Sequence, residues 1–473
     1  MSTNDDPEAI LAFDEENEAF PAPMPSQRPK PNALGVLARL LVGVGAILLL
    51  VWAIWGMQFV PNLLWPIGIF GALSLGGILW SVATYGGKPG GIRNDGTFFN
   101  AGTSRGWVAW ILGFVFTLFY VLLYWYPNGV AGLVALVDPL SRGLFGLPAN
   151  RWFLYGFLYT LAVLVMGIRM LYRYRHNKYQ IYRTLSVMFF QTILAFLIPH
   201  LLQLFDQPEF YFSYFWPLKY DYLFPSTIHG LLKQPGGLAV FMVFWTVALS
   251  LVAVPILTYF FGKRWYCSWV CGCGGLAETM GDPFRHLSSK KVSAWRLERF
   301  LIYFVLLLIV ALTAILWINS AMEGGFLGSF SQAYAHWYGF LIGSLFAGVI
   351  GVGFYPILGS RVWCRFGCPQ AAILGIFQRL FSRFRITTNG GQCMSCGNCS
   401  TYCEMGIDVR AYAQRGENIV RASCVGCGIC SAVCPRGVLK LENGKGSGDR
   451  FEGSENPLAA LRVSLGKGFE KRS

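Results

Sequence analysis

The stretch "CMSCGNCSTYC" at residues 393–403 places four cysteines in the order C-x2-C-x2-C-x3-C, and "CVGCGICSAVCP" at residues 424–435 repeats that order. Four thiolates at this spacing hold a cubane iron–sulfur cluster, and the fourth cysteine of each run binds the cluster of the other run. Small residues between the cysteines, such as Gly397 and Gly426, let backbone N–H groups approach the cluster sulfurs. The predicted ligands of the two [4Fe–4S] clusters are Cys393, Cys396, Cys399 and Cys434 for one, and Cys424, Cys427, Cys430 and Cys403 for the other.

This spacing is the bacterial two-cluster ferredoxin pattern, and it predicts an α+β domain over residues 386–445. Structural zinc is the competing interpretation, but zinc sites use C-x2-C pairs and not two complete four-cysteine runs. Between the runs, "IDVRAY" and "GENIVRA" are expected to pair as a small hairpin, and "GVLKLENGKG" to close the domain with a strand and a turn. One departure from the pattern is Glu404, which follows Cys403 where a proline is usual.

The rest of the chain is far more apolar. Of its 473 residues, 54% are hydrophobic and 13% are charged, whereas a soluble domain carries roughly a quarter charged residues. A membrane helix needs about 20 mostly apolar residues. The sequence therefore predicts a polytopic α-helical membrane protein with about eight transmembrane helices within 34–385, near 39–60, 63–84, 106–126, 153–172, 184–205, 238–261, 300–319 and 338–358.

The charge pattern predicts the topology. Loops rich in Lys and Arg, within 88–105, 173–183 and 262–299, alternate with loops that hold few basic residues. The positive-inside rule then puts both termini and all 13 cysteines on the cytoplasmic side of a bacterial inner membrane. Disulfides are disfavoured there, which favours metal ligation or redox chemistry. Because the basic residues lie beside apolar helices, they indicate lipid headgroups and not nucleic acid.

The two ends of the chain are expected to lack regular structure. Residues 1–27 contain seven acids and no Lys or Arg, and a proline-rich stretch follows them. We interpret residues 1–33 as a disordered acidic and Pro-rich cytoplasmic tail, and 446–473 as a flexible tail.

A second set of cysteines follows the sixth and eighth apolar segments. "GKRWYCSWVCG" at 262–272 and "GSRVWCRFGCP" at 359–369 share a Gly-x-Arg lead-in and a C-x3-C spacing, which is an internal repeat. In a helix, the two thiols of each pair would lie at i and i+4 on one face. Three interpretations compete: a further metal or Fe–S centre, a dithiol redox pair, or cysteines that only pack the helix ends. The candidate ligands are Cys267, Cys271, Cys364 and Cys368, with Cys273 as a spare thiol.

The basic residues that flank these pairs are expected to lower the thiol pKa values and favour thiolates. They are Lys263, Arg264, Arg361 and Arg365.

Twin C-x3-C motifs followed by a two-cluster domain resemble the membrane-bound polyferredoxins, the family that includes NosR, NapH and CcoG. Cys364, Cys368 and Pro369 match the shared C-x3-C-P motif in full, whereas Gly272 stands where the proline after Cys271 would be. The resemblance covers about residues 238–440. It implies electron transfer at the inner membrane without naming the donor or the acceptor.

A basic amphipathic helix is expected over 370–385. Its predicted apolar face would lie in the membrane interface and hold the cluster domain there; the alternative is a helix packed into the core of that domain. The apolar face consists of Ile373, Phe377, Leu380, Phe381 and Phe384, with Arg379 and Arg383 opposite.

Three histidines, His200, His229 and His336, fall near the predicted outer face. They could ligate haem or copper or bind a quinone headgroup, although histidines at helix ends are more often ordinary interfacial residues. The aromatic loop at 206–230 is either a lid over a quinone pocket or an aromatic belt. If quinol is oxidised there, the candidate proton acceptors are Asp206, Glu209 and His229. The stretch "GDPFRH" at 281–286 is interpreted as a turn without chemistry.

These features together predict an electron carrier. Electrons would pass between a membrane donor, with quinol as one candidate, and a protein redox partner through two [4Fe–4S] clusters, whose potential the protein tunes by burial and hydrogen bonds. Two other classes remain open: a maturation factor that reduces metal ions or thiols for a respiratory enzyme, and a redox-sensing regulator. The expected partners are membrane lipid and proteins, and the sequence identifies no catalytic residue.

Overall fold

The computed structural model describes residues 32–86, 105–325 and 327–444. Within these ranges, eight helices are long and apolar enough to cross a membrane, which confirms the predicted number. We number them in chain order as the first to the eighth membrane helix. They span Ala33–Gln58, Leu64–Tyr85, Trp107–Trp125, Arg151–Arg173, Lys178–Leu204, Gly237–Phe261, Val292–Ala321 and Gly328–Gly353. The predicted tails lie outside the described residues, except that the first helix already begins at Ala33.

Asparagines start three of these helices. The side-chain oxygen of Asn32 accepts a hydrogen bond from Gly35 N at 2.8 Å, and Asn150 and Asn177 cap the fourth and fifth helices in the same way. Such a cap satisfies a backbone N–H that has no partner inside the helix. The first two helices form a close pair, because at Gly45 a Cβ would lie 2.8 Å from Leu73.

Three membrane helices contain a segment of wider, π-helical turns, at Phe190–Leu197, Ala248–Ala253 and Gly339–Ile350. Segments of this kind are frequent at functional sites. Shorter helices lie between the membrane helices and between the eighth membrane helix and the cluster domain. They span Ala131–Phe145, Pro225–Leu232, Arg264–Cys267, Gly272–Thr279, Tyr355–Leu358 and Pro369–Leu380.

The cluster domain, which we call the head, is small and irregular. Strands β1 (Phe384–Thr388) and β2 (Leu439–Asn443) pair antiparallel, with Phe384 opposite Asn443. The predicted closing strand is therefore confirmed. The head also contains three short helices, Asn398–Thr401, Val409–Arg415 and Ile429–Ala432.

The predicted hairpin between the two cysteine runs is wrong. Its first half is the helix Val409–Arg415, which Asp408 caps by accepting a hydrogen bond from Ala411 N, and which ends at Gly416 with φ +70°. An acidic N-cap and a left-handed glycine are ordinary helix boundaries. Of the second half, only Ile419 pairs, in an isolated bridge with Ile386.

The amphipathic helix predicted at 370–385 ends at Leu380, and the chain continues into β1. Its buried residues include Ala371, Ala372, Leu374, Gly375 and Gln378, whereas Phe381 is 48% exposed. Gly375 packs on the head, since a Cβ there would lie 2.7 Å from the carbonyl of Ala422. The helix therefore contacts the head directly through this face of small residues, and contact of its predicted apolar face with the membrane interface stays a prediction.

The head and the membrane domain share one buried core. That core includes the C-x3-C cysteines together with Met405, Ile407 and Val425 of the head. Polar contacts reinforce it, because Tyr179 Oη donates to Gly426 O at 2.8 Å and Gln180 Nε2 donates to Cys427 O at 2.9 Å. The first turn of the fifth membrane helix therefore contacts the second cysteine run.

Candidate iron–sulfur centres and a buried ion-pair network

The structure brings together the four cysteines predicted for each cluster of the head. Cys393, Cys396, Cys399 and Cys434 line one small cavity. Burial raises the pKa of Cys399 to about 12, and the other three thiols predicted for its cluster add to the increase. Burial likewise raises the pKa of Cys430, and the other three thiols of its predicted set raise it further. The cross-over of ligands between the two runs fits this arrangement, and the ligand sets stay predictions.

The backbone of the two runs has the same shape. Ser395 and Gly397 adopt φ values of 55° and 74°, and the equivalent Gly426 and Gly428 adopt 63° and 73°. Left-handed residues that alternate with right-handed ones turn successive N–H groups toward one point and create an anion-binding concavity. A cubane with thiolate ligands is an anion that suits such a concavity, so the residues present fit the predicted cofactor.

The two C-x3-C motifs also meet, and all four of their cysteines are buried. Arg361 bridges them, because its Nη1 donates to the carbonyl of Cys267 at 3.2 Å and to Cys364 Sγ at 3.5 Å. Arg361 belongs to the Gly-x-Arg sequence before the second motif. A residue of the repeat itself therefore links the two motifs.

Neither pair lies on one continuous helix, which corrects the predicted i, i+4 arrangement. Cys267 ends one short helix, and Cys271 has extended backbone (ψ 125°) at the N-cap of the next. Cys368 is likewise the N-cap of Pro369–Leu380, and its Sγ accepts from Ala371 N at 3.4 Å. Helix N-termini carry free N–H groups and partial positive charge, so both favour a thiolate or an anionic cluster.

The predicted lowering of the thiol pKa values is wrong for most of these cysteines. Burial raises the pKa of Cys267 to about 12, and it also raises the pKa of Cys364 and Cys368. The pKa of Cys271 alone is lowered, to about 7, chiefly by a hydrogen bond from Cys273.

The flanking basic residues mostly bind elsewhere. Lys263 Nζ donates to Ala422 O at 3.1 Å, and Arg365 Nε pairs with Glu298 at 2.7 Å. The guanidinium of Arg264 lies 4.5 Å from the centre of the Phe384 ring. Lys263 and Arg264 therefore contact the head, Arg365 pairs with the seventh membrane helix, and of the four residues only Arg361 bonds a thiol.

A single metal ion does not fit the four C-x3-C thiols. Four sulfurs that share one ion at about 2.3 Å would lie within about 4.6 Å of one another. Among the described residues, the one group of three or more ligand atoms within 4.8 Å is Glu278, Glu404 and Cys427. The sulfur ligands of an iron–sulfur cluster bind different irons and stand farther apart, so the geometry favours that interpretation over a mononuclear site.

A network of buried ion pairs lies between the C-x3-C motifs and the head, and the sequence analysis missed it. Its centre is Glu404, whose two oxygens accept from Arg285 Nη1 at 2.5 Å and from Arg361 Nε at 2.9 Å. Glu278 pairs with Arg361 at 2.6 Å and also with Arg183 and Arg285. Burial opposes ionisation of Glu278, but the three arginines outweigh it and hold its pKa well below the usual range.

Asp282 extends this network to the fourth membrane helix. Its carboxylate accepts from Arg169 and Arg173 at 2.6 Å and from Arg285 at 2.7 Å, and the hydroxyl of Tyr174 donates to it at 3.0 Å. The stretch at 281–286, predicted to be a turn without chemistry, therefore supplies two members of the network. Glu404, the departure from the ferredoxin pattern, supplies the head's contact. These two local oddities were the available signals.

Comparison with known proteins identifies the cysteine motifs. The family "4Fe-4S binding domain" matches residues 243–293 and 338–387, which include both C-x3-C motifs. The family "4Fe-4S dicluster domain" matches residues 392–439. In these regions the chain is similar to membrane-bound polyferredoxin-like proteins. Its domains bind [4Fe–4S] clusters.

Two curated relatives resemble part of the chain. "Putative electron transport protein YccM" of Escherichia coli is 29% identical over 34% of this chain and 46% of its own length. An uncharacterised protein of Methanocaldococcus jannaschii is 27% identical over 35% of this chain and 60% of its own length. The matches thus span about half the length of these relatives. No solved structure matches the chain.

A cavity of about 610 Å³ reaches from the aromatic loop to the C-x3-C motifs. Cys273 and Cys364 line one end of the cavity, and Glu209 and Asp221 of the loop line another part. Two of the three π-helical segments contribute to its wall, through Gln191 and through Gly343 and its neighbours. Its tyrosines are Tyr120, Tyr124, Tyr155, Tyr159, Tyr211, Tyr214, Tyr220, Tyr222, Tyr338 and Tyr355. We call this space the tyrosine cavity.

The structure does not bring the three predicted histidines together. His200 lines the tyrosine cavity, and its Nδ1 lies 2.7 Å from the carbonyl of Phe196. His229 packs edge-on against Trp317, and His336 is exposed. Of the three candidate proton acceptors in the loop, only Glu209 lines the cavity. The loop itself contributes to the cavity wall, as the lid interpretation expected.

Proposed function

We propose that this protein passes electrons from a quinol in the tyrosine cavity to a protein redox partner that docks on the head. The electrons would move through a centre held by Cys267, Cys271, Cys364 and Cys368 and then through the two head clusters. In this proposal the head lies on the cytoplasmic side of a bacterial inner membrane. One observation carries it: a cavity of quinone size inside the membrane domain ends at a cysteine of the C-x3-C site.

The size and lining of the cavity support a quinone. Ligand pockets measure about 300–1,000 Å³ and are mostly aromatic or apolar with a few polar groups. Buried polar atoms without a partner call for an explanation, such as a bound polar molecule. Four such atoms line this cavity and have no hydrogen bond within the described part of the chain. They are Gln191 Oε1, Asp221 Oδ1, Ser360 Oγ and Trp363 Nε1.

These unpaired groups match the hydrogen-bonding needs of both the quinone and the quinol forms of the ligand ring. Trp363 Nε1 is a donor only and suits a quinone oxygen, whereas Gln191 Oε1 is an acceptor and suits a quinol hydroxyl. Oxidation of one quinol releases two electrons and two protons. Trp363 directly precedes Cys364, so the electrons would leave where the ring meets the thiol ligand. The protons would leave toward Glu209 and Asp221.

The exit would lie at the opposite side of the head. Cys396 is the one exposed cysteine among the 13, and Met394 beside it is 56% exposed. A partner protein could therefore approach the cluster that includes Cys396 more closely than the other centres. This part of the proposal names a docking surface and no particular partner.

Cys273 favours a second function. It is a half-buried thiol that lines the same cavity next to Cys271, and nothing in the ferredoxin pattern requires it. A maturation factor could use this thiol to hold a metal ion or a disulfide while the clusters deliver electrons. The two functions differ in the substrate that exchanges electrons at the cavity.

The test is reduction of the clusters by a short-chain quinol under anaerobic conditions, followed by EPR and by loss of iron–sulfur absorbance. Trp363→Phe removes one hydrogen bond worth about 1 kcal/mol, so we expect roughly a fivefold weaker apparent affinity for the quinol. Trp337→Phe is the matched control, because Trp337 is 56% exposed and does not line the cavity. Reduction by dithionite and iron content should be unchanged in both variants.

Clusters that dithionite reduces and quinol does not would contradict the proposal. Reduced clusters that are oxidised by Cu(II) or by a disulfide, with loss of this activity in Cys273→Ser, would instead support the maturation function.

A further inference from the structure

A second cavity, of about 320 Å³, lies between the head and the membrane domain. Its walls come from the start of the seventh membrane helix, the helix Pro369–Leu380 and the head segment around 405–423. The proposed electron path does not use it. We call it the basic cavity.

The depth of the basic cavity corresponds to the lipid headgroups. The seventh helix has 30 residues, about ten more than a membrane crossing needs. Its apolar run begins at Phe300, and the charged residues Glu298 and Arg299 stand just before it. Trp295 and Tyr303, which line the cavity, are the residue types that mark the membrane–water interface.

Positive charge dominates the lining. Six Lys and Arg side chains and three carboxylates line the cavity. Each carboxylate is already engaged: Glu298 pairs with Arg365 at 2.7 Å, Glu417 pairs with Arg415 at 3.0 Å, and Asp408 accepts from the Ser400 hydroxyl at 2.5 Å. The other four cations have no acidic partner among the residues that line this cavity. They are Lys263, Arg299, Arg379 and Arg421.

Three guanidinium groups remain available there. Those of Arg299 and Arg421 lie 4.8 and 5.6 Å from the ring centre of Trp295, and the ring is the one partner of each side chain within the described residues. Arg379 makes no hydrogen bond or ion pair with the described residues. Arginine binds phosphate oxygens through paired N–H groups, so this trio suits one phosphate group.

Apolar surface continues from the cavity toward the bilayer. The cavity floor includes Ile302, Ala371 and Ala372. Along the same helix Phe300, Phe304 and Leu307 are 66%, 45% and 63% exposed, and the first two rings stack at 5.8 Å. Residues three and four apart form one stripe on a helix. A molecule with a phosphate at Arg299 could therefore lay an acyl chain along this stripe.

We propose that the basic cavity binds the phosphate of an anionic phospholipid, whose acyl chains lie along Phe300, Phe304 and Leu307. Basic pockets at the membrane surface are typical sites for such headgroups. The bound lipid would join three parts: the seventh helix through Arg299, the helix Pro369–Leu380 through Arg379, and the head through Arg421. It would fasten the head to the membrane three residues before the cluster ligand Cys424.

The test is a lipid titration of the delipidated, iron-loaded full chain, read by native mass spectrometry. Phosphatidylglycerol is the probe, and phosphatidylcholine is the neutral comparison. Arg379→Gln and Arg421→Gln should each raise the Kd for phosphatidylglycerol about tenfold, as expected for loss of a hydrogen bond to a charged group. The matched control is Arg296→Gln. Arg296 is exposed on the same helix, three residues before Arg299, and does not line the cavity.

Selective binding of phosphatidylglycerol that both variants weaken and the control retains would support the site. Equal affinity for phosphatidylcholine, or equal effects of all three substitutions, would overturn it. Glycerol 3-phosphate provides the last arm, since it has the phosphate without the chains. If it displaces the lipid at equal concentration, the cavity takes a soluble anion and the lipid proposal is wrong.

Discussion

Replacement of Glu404 by Gln should loosen the head from the membrane domain. Glu404 is fully buried, and it is the carboxylate that the head contributes to the ion-pair network. Glutamine keeps the size of the side chain and removes its charge. It also places an amide NH2 group, which is a donor, against Arg285 or Arg361 where an acceptor is needed.

The size of the effect follows from the contacts. Removal of one partner of a buried ion pair costs about 3–5 kcal/mol, because it leaves a buried charge uncompensated. Here Arg285 keeps Asp282 at 2.7 Å, and Arg361 keeps Glu278 at 2.6 Å. The lower end, about 3 kcal/mol, is therefore expected, which corresponds to roughly a hundredfold change in the docking equilibrium.

Hydrogen–deuterium exchange measures this opening directly. Residues 401–408 of the head contact Arg285 and Arg361, and residues 176–184 of the membrane domain contact the second cysteine run. Peptides that cover these two segments should exchange roughly a hundred times faster in Glu404→Gln than in the parent chain. Iron content must be measured in parallel, because cluster loss would also speed exchange. Glu417→Gln is the control, since Glu417 is one-third exposed and its pair with Arg415 is worth at most about 1 kcal/mol. Exchange within threefold of the parent chain in Glu404→Gln, at full iron content, would refute the claim that this network holds the head.

Two further predictions concern the clusters. Cys396→Ser and Cys427→Ser should each remove one head cluster and about four irons per chain while the other EPR signal persists; zinc instead of iron in an anaerobic preparation would contradict the ligand sets. Arg361→Gln should lower the reduction potential of the centre at the C-x3-C motifs by roughly 100 mV. Loss of a positive charge about 5 Å from the centre makes addition of an electron less favourable. An unchanged potential in a redox titration would show that Arg361 does not tune that centre.

The features that sequence predicted well are local or compositional. The spacing of Cys393, Cys396 and Cys399 is a property of a few consecutive residues, and a membrane helix is recognisable from about 20 apolar residues alone. The repeat at 262–272 and 359–369 is likewise recognised by comparison of the two sequence stretches alone. Each of these signals is complete within one stretch, so no knowledge of the tertiary fold was required.

The network could not be predicted in this way. Glu404 stands out in the sequence only as a departure from the ferredoxin pattern, and nothing there links it to Glu278 or Asp282. The arginine partners of the three acids lie 3 to 119 residues away along the chain. Their pairing depends on how the head docks. The same dependence explains the thiol pKa values: the sequence shows that Lys263 is near Cys267, but it does not show that burial outweighs the charge.

The hairpin failed for a different reason. The signals for the helix Val409–Arg415 were present in the sequence, as Asp408 before it and Gly416 after it. The interpretation gave more weight to the aliphatic residues on either side. Boundary residues therefore deserved more weight than strand propensity in a domain this small, where one cap decides a short element.

The charge of the network suits the position it occupies. Five arginines and three carboxylates leave it positive, and such a surplus in a buried region would be unfavourable without further anions nearby. Clusters with thiolate ligands are anions, and they gain negative charge on reduction. Our hypothesis is that the iron–sulfur centres supply the missing negative charge, while the arginines stabilise their reduced forms. The redox titration of Arg361→Gln tests this hypothesis from the cluster side, and exchange in Glu404→Gln tests it from the docking side. If both results hold, the contacts that fix the distance between the centres also set their potential, so neither property could change in evolution without the other.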